Sequence, residues 1–469
     1  MFWKIRVILT VLALWASGQI LLSPPAFAAV AAPTLRVESS GSDLRLAWDV
    51  AGPNSAYTLE RSDTLFPASW QAVASNLTTT SWSANLPATG TGFFRLRVVA
   101  LSSRGTILTN LLLRGYSQAD ISTLLLQYPV PGITARAVEA WKVVYLTLDG
   151  HGNTTHASAL VVLPVAPDRA LPLLSYQHGT IVGREDVPSR LNDEGDIGLL
   201  LASAGYIAVL PDYLGLGDSP GLHPYHHAKS EATAVVDALR AARDSLTTHG
   251  VSWNQQLFIT GYSQGGHATL AAQRELELYH TNEFTLTASA PGAGAYDMSG
   301  TTTTDFLSTR VPPNPYYSAY LVAAYVDTYG IATNLASVLR APYDSTLPPL
   351  FDGRHGGSDI NAIMPQHPAD ILKPEILQAF RDDPNHPLRS ALRDNDLHTG
   401  WFPKTPTRFY HCRADQDVLF ANSQVAFDTF KAAGAPSVEL IDPFSLAGHS
   451  TCALLALPQA KVWFDTLKK

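Results

Sequence analysis

The stretch that most constrains this chain is residues 256–272, QLFITGYSQGGHATLAA. Leu257, Phe258, Ile259 and Thr260 are apolar or β-branched and predict a buried strand. Gly261-Tyr262-Ser263-Gln264-Gly265 then turns, and the segment from Gly266 onward predicts a helix. A Gly-x-Ser-x-Gly set between strand and helix has a mechanical meaning that the bare pentapeptide lacks. Only a tight, strained turn lifts a serine Oγ clear of a sheet, and glycines on both sides leave room for it. Ser263 then stands at a helix N-terminus, where partial positive charge favours an oxyanion and the Gln264 N–H can donate to it. Ser263 is therefore read as a nucleophile, not as an ordinary turn serine. Such a nucleophile needs a base, and the base needs an orienting acid.

The chain around this motif has 469 residues, enough for more than one domain. Residues 1–28 read as an export signal: Lys4 and Arg6, an apolar run over 7–22, then Ala26-Phe27-Ala28 as a small-x-small cleavage site. Gly18, Gln19 and Pro24-Pro25 interrupt that run and favour removal over a retained anchor. No later stretch is long and apolar enough to span a bilayer, so a secreted or periplasmic protein is expected. A net charge of -8 without a basic block argues against nucleic acid as a partner.

Residues 33–104 predict a separate all-β module. Leu44-Arg45-Leu46-Ala47-Trp48, Tyr57-Thr58-Leu59-Glu60-Arg61 and Phe93 through Val99 alternate, with turn residues between the runs. Strands this short and this spaced suggest a β-sandwich. The arrangement resembles a fibronectin type III domain, with Trp48 at the core tryptophan and Phe94 where that family usually places tyrosine. Such a module serves as a spacer or binds a polymer or surface through exposed aromatics. Most aromatics here fall in strand patterns, which favours the spacer.

From about residue 106 the pattern changes, with a short helix expected over 117–126. Strands over 143–148, 159–165, 173–176, 207–211 and 257–262 then alternate with helices over 194–204, 230–246 and 266–279. That alternation predicts an α/β fold with a doubly wound, mostly parallel sheet. The first two strands, joined by the turn-rich 150–155, would give it an antiparallel start.

Three runs within this region carry a resemblance: PDYLGLGDS at 211–219, HPY at 223–225 and GYSQGGH at 261–267. Together they resemble the α/β-hydrolase superfamily and, more narrowly, secreted bacterial serine esterases and lipases related to the secretory lipases. The resemblance covers about 105–300 and 405–469, so the catalytic domain is set at 105–469. It implies a Ser–Asp–His triad, hydrolysis of small-molecule or lipid carboxylic esters, and neither cofactor nor metal. Thr180, after His178-Gly179 at a strand end, takes the place of the second oxyanion donor beside Gln264. His178 itself is read as a structural turn residue. Residues 297–404 interrupt the alternation and are expected to form a cap over the pocket.

The triad partners follow that insertion. Asp415, three residues before Val418 in the loop after a strand over 408–412, matches the family's acid, with Asp417 as competitor. His449, in a loop before the last helix, has the chain order expected of the base. Cys412 lies three residues before Asp415 and Cys452 three after His449. If the triad forms, these loops are neighbours, and a Cys412–Cys452 disulfide is expected, worth about 4 kcal/mol by chain entropy. Other readings are a serine peptidase of the same fold, a feruloyl- or polyester-type esterase, and a non-catalytic binding protein on this scaffold. The peptidase would need an amine subsite that the sequence does not identify, and a complete triad argues against the binding protein.

Overall fold

The computed structural model describes residues 104–469 throughout and, N-terminal to them, six strands. The leader expected over 1–28 lies outside the described residues. The chain separates into two compact units, 1–104 and 105–469.

In the first unit, β1 (Leu35–Ser40), β2 (Asp43–Trp48) and β5 (Ser81–Asn85) form one antiparallel sheet in the order β1-β2-β5. β3 (Ser55–Ser62), β4 (Gln71–Leu77) and β6 (Phe93–Ala100) form a second, ordered β4-β3-β6. Leu46 and Trp48 from one sheet and Tyr57 and Leu59 from the other bury together, with Phe94 against them.

The second unit is built on a nine-stranded sheet. It opens with β7 (Ile107–Tyr116), then α1 (Gln118–Gln127), β8 (Val138–Leu148) and β9 (Thr154–Pro164). β7, β8 and β9 pair antiparallel, as expected for the last two. The alternation continues with β10 (Leu171–Gln177), α2 (Asp193–Ser203), β11 (Ile207–Pro211), α3 (Ala228–Ser245), β12 (Trp253–Tyr262) and α4 (Gln264–Tyr279). β13 (Leu286–Gly292), β14 (Thr407–Tyr410) and β15 (Val438–Ile441) complete the sheet. The order is β15-β14-β13-β12-β10-β11-β9-β8-β7. The six strands from β11 to β15 through β10 and β12 run parallel.

A parallel sheet must be covered on both faces, which is why β10 and β11 are buried along their whole length. On one face Val235, Val236 and Leu239 of α3 and Ala268, Ala272 and Leu276 of α4 pack against the strands. On the other, Leu199 and Leu201 of α2 share a core with Ala456, Ala460 and Phe464 of the C-terminal helix His449–Leu467. The order reverses at β10: the chain leaves it for β11 on one side and later returns to β12 on the other. Ligands of open α/β sheets bind beyond the strand ends at such a switch point.

Between β13 and β14 the chain makes short helices, including Tyr316–Tyr329, Pro374–Asp382 and Pro387–Asp394. They share a core of their own, with Ala319, Val322, Phe380 and Leu392 in it and Tyr225 packed into it.

Several boundaries depart from the expected ones. β7 was not anticipated: as an edge strand it exposes Leu108, Leu111 and Leu112 and lacks a clean alternation. β13 was missed as well, because its sequence LTASAPG is rich in small residues. The strand expected over 408–412 ends at Tyr410, so His411 and Cys412 belong to the following turn. His449 is the first residue of the C-terminal helix, not part of a loop before it.

Candidate active site

β12 ends in Tyr262, and Ser263 follows at φ +62°, ψ −122°, a region that L-residues with a Cβ rarely enter. What holds it there is backbone contact. A Cβ on Gly265 would lie 1.9 Å from the Gln177 carbonyl oxygen, and one on Gly266 would lie 2.0 Å from that of Gly292. α4 is thus wedged between the ends of β10 and β13, and only glycine fits at either position. The Ser263 N–H donates to the Gly292 carbonyl at 2.9 Å, while its own carbonyl accepts from Gly266 and His267. The Gln264 N–H, first in α4, has no intrahelical acceptor. Ser263 is half-buried.

The loop after β10 comes close to this turn. A Cβ on Gly179 would lie 3.9 Å from that of Ser263. Thr180 is next, its Oγ1 hydrogen-bonded to the Tyr225 hydroxyl at 2.9 Å. His178 is fully buried, with Nδ1 2.7 Å from the Gly179 carbonyl and its ring against Tyr213, a structural placement.

Asp415 and His449 meet. His449 Nδ1 donates to Asp415 Oδ2 at 2.5 Å. Asp415 Oδ1 accepts the Asp417 and Val418 N–H groups at 2.9 and 3.0 Å, and Oδ2 also lies 3.2 Å from His411 Nε2. Burial opposes ionisation of Asp415, but the hydrogen bonds from His411 and His449 outweigh it and hold the carboxyl well below its ordinary range. Asp417 instead accepts from Asn314 Nδ2 at 2.9 Å. His449 reaches the serine turn through Tyr262, whose hydroxyl donates to the His449 carbonyl at 3.0 Å and whose ring packs 5.0 Å from the imidazole. A Cys412–Cys452 disulfide ties the Asp415 turn to the helix that begins at His449.

Three residues of this arrangement were not singled out beforehand. Tyr262 was read only as a position in the motif, and Tyr225 only as part of HPY. His411 was placed inside a strand, where a histidine gives no signal of bonding to a carboxylate four residues on.

A pocket open to solvent lies beside this arrangement; Ser263, Asp415 and His449 are not among its lining residues. Met298, Phe306, Leu321, Phe380 and Leu392 give it apolar walls, while Asp305, Arg310, Asn314 and Asp417 are polar. Tyr225 and Val418 line it too, so it shares walls with the Thr180 loop and the acid loop. Tyr317 reaches the cavity; Tyr320 does not and stacks on Tyr225 at 4.7 Å.

Known proteins share this architecture. Residues 196–305 match the family described as Secretory lipase. Lipase 5 of Candida albicans is 22% identical over 374 residues, covering 75% of this chain and 78% of that one. The crystal structure of the rice cell wall degrading esterase LipA from Xanthomonas oryzae superposes with a TM-score of 0.70 at 30% identity. That match covers 78% of this chain and 98% of LipA. Candida antarctica lipase A in its closed state shares the fold at a TM-score of 0.58 and 16% identity, over 77% of this chain and 81% of its own.

Proposed function

Because the chain belongs to the α/β-hydrolase lipases and esterases and is a carboxylic ester hydrolase, we propose that it cleaves esters through Ser263, His449 and Asp415. His449 takes the Ser263 proton as Oγ attacks the ester carbonyl, and Asp415 keeps the imidazole in the Nδ1–H tautomer and stabilises the imidazolium. The Gln264 and Thr180 N–H groups hold the oxyanion. The protonated His449 then gives its proton to the leaving alcohol. A water activated by the same imidazole attacks the acyl-enzyme, releasing the acid and restoring Ser263. None of these steps calls for a metal or cofactor. The observation that carries this reading is the 2.5 Å hydrogen bond from His449 to Asp415, with the ring lying against the residue just before Ser263.

The cavity's apolar walls support an ester with an apolar acyl group, and residues 297–404 act as a cap that supplies those walls. The N-terminal unit is a fibronectin type III-like spacer, a reading supported by its two three-stranded sheets around Trp48 and Tyr57. Export follows from the leader read over 1–28 and agrees with the secretory lipase match. Among the described residues no helix is long and apolar enough to cross a membrane.

Hydrolysis of p-nitrophenyl esters from acetate to palmitate, by the parent and by Ser263→Ala, tests the reading. Activity lost with the serine supports it, and the chain-length optimum separates esterase from lipase. Activity that survives Ser263→Ala breaks it.

A further inference from the structure

Glu231 of α3 is a carboxylate only 1% exposed, and the reaction described above does not use it. Burial opposes its charge, yet the His267 imidazole beside it and hydrogen bonds from His267 and Gln264 bring its pKa down to about 2. These contacts favour its anionic form. Its two oxygens both reach the first turn of α4. Oε1 accepts from Gln264 Nε2 at 2.9 Å, and Oε2 lies 2.6 Å from His267 Nδ1. Gln264 Nε2 also donates to His223 Nε2 at 2.6 Å, while His223 Nδ1 donates to the Leu214 carbonyl at 2.7 Å. Burial pushes His223 down to about 4, so it is neutral. Its one proton goes to Leu214, and Nε2 is left as the acceptor that this geometry requires.

Gln264 is therefore gripped by its side chain on one side, while the carbonyls of Gln177 and Gly292 block the turn on the other. Resting on the reading of its N–H as an oxyanion donor, we propose that Glu231 is a positioning residue of the oxyanion hole, acting through the Gln264 side chain. The direction of the Gln264 N–H is set by the plane of its peptide; the Ser263 carbonyl in that plane is held by the Gly266 and His267 N–H groups, and the Gln264 side chain supplies a second restraint whose release lets the plane rock about the first. An oxyanion donor works only when pre-aimed at the place where charge develops, so rocking weakens the transition state more than substrate binding.

The test uses the full chain with Glu231→Gln, Gln264→Met and the double variant. Ser263→Ala runs beside them. Steady-state kinetics on a p-nitrophenyl ester, inactivation by a p-nitrophenyl phosphonate (whose adduct carries the same oxyanion) and thermal unfolding are measured together. Each single variant is expected to lower kcat about 10- to 100-fold with KM near the parent value. Phosphonate inactivation should slow in proportion. The double variant should be no worse than the worse single one, because both break the same link. Gln264→Met leaves the Glu231–His267 pair in place, so it decides alone if Glu231→Gln does not fold. A parental kcat in Gln264→Met, or a loss that merely tracks the unfolded fraction, overturns the proposal. If Ser263→Ala stays active, the triad reading fails; if it is dead while Gln264→Met is parental, only this inference fails.

Discussion

The serine turn and the acid–base pair sit at the same edge of the sheet but are held by opposite means. The turn is fixed by main-chain contacts: two glycines pressed on the carbonyls of Gln177 and Gly292, with the strain at Ser263 confined between them. Asp415 and His449 are fixed by side chains: four hydrogen-bonding contacts to one carboxylate and a disulfide beneath them. A main-chain device tolerates no change of residue type. A side-chain device can be dismantled one link at a time, which makes the contrast measurable.

The sharpest break is at the serine itself. Ser263→Ala should lower kcat about a million-fold on p-nitrophenyl esters, with the fold intact by circular dichroism. Next comes the acid. Asp415→Asn should cost about 10⁴-fold in kcat by leaving His449 in the wrong tautomer. Asp417→Asn should act on KM, since Asp417 lines the cavity and bonds Asn314. An Asp417 effect on kcat as large as that of Asp415 would reverse the two assignments. A smaller effect is expected from Cys412→Ala with Cys452→Ala. Denaturant unfolding should show a loss of about 4 kcal/mol, while kcat in the cool, folded enzyme stays close to parental, because the Asp415–His449 bond does not need the bridge.

The smallest effect is on acid stability. The Asp415 carboxyl is held below its ordinary value of 3.8, so its stabilisation is present above about pH 4 and lost as pH falls through the folded value. Asp415→Asn should therefore flatten the acid limb of an unfolding midpoint measured against pH, and leave the neutral region shifted by a constant amount.

The same contrast explains what could be read from the chain. The turn was legible because its constraint is written in residue types: glycines around a serine, a β-branched run before and a helix former after. Asp415 needed the spacing to Val418, and the structure gives that spacing a cause, since the Val418 N–H is one of the donors to its carboxylate. The disulfide was legible only through the triad. Tyr262 and Tyr225 were not, because each acts through a long-range hydrogen bond that leaves no local pattern, and His411 was not, because its contact to Asp415 depends on the turn that follows β14. β7 escaped for a related reason: an edge strand with solvent access on most positions has no periodicity to detect. The interior of the segment between β13 and β14 stayed out of reach because short helices that bury side chains against one another depend on contacts far apart in sequence, such as that of Tyr320 with Tyr225.

The wedging of α4 also separates what can be edited in this molecule from what cannot. Because the position of Ser263 depends on two carbonyls and two hydrogen atoms where side chains would otherwise be, it does not rest on wall residues such as Leu321, Phe380 or Leu392. A designer reshaping those three positions for a bulkier or shorter acid leaves the backbone lock of the turn untouched, whereas Tyr225 and Val418, which also line the pocket, bond to Thr180 and Asp415.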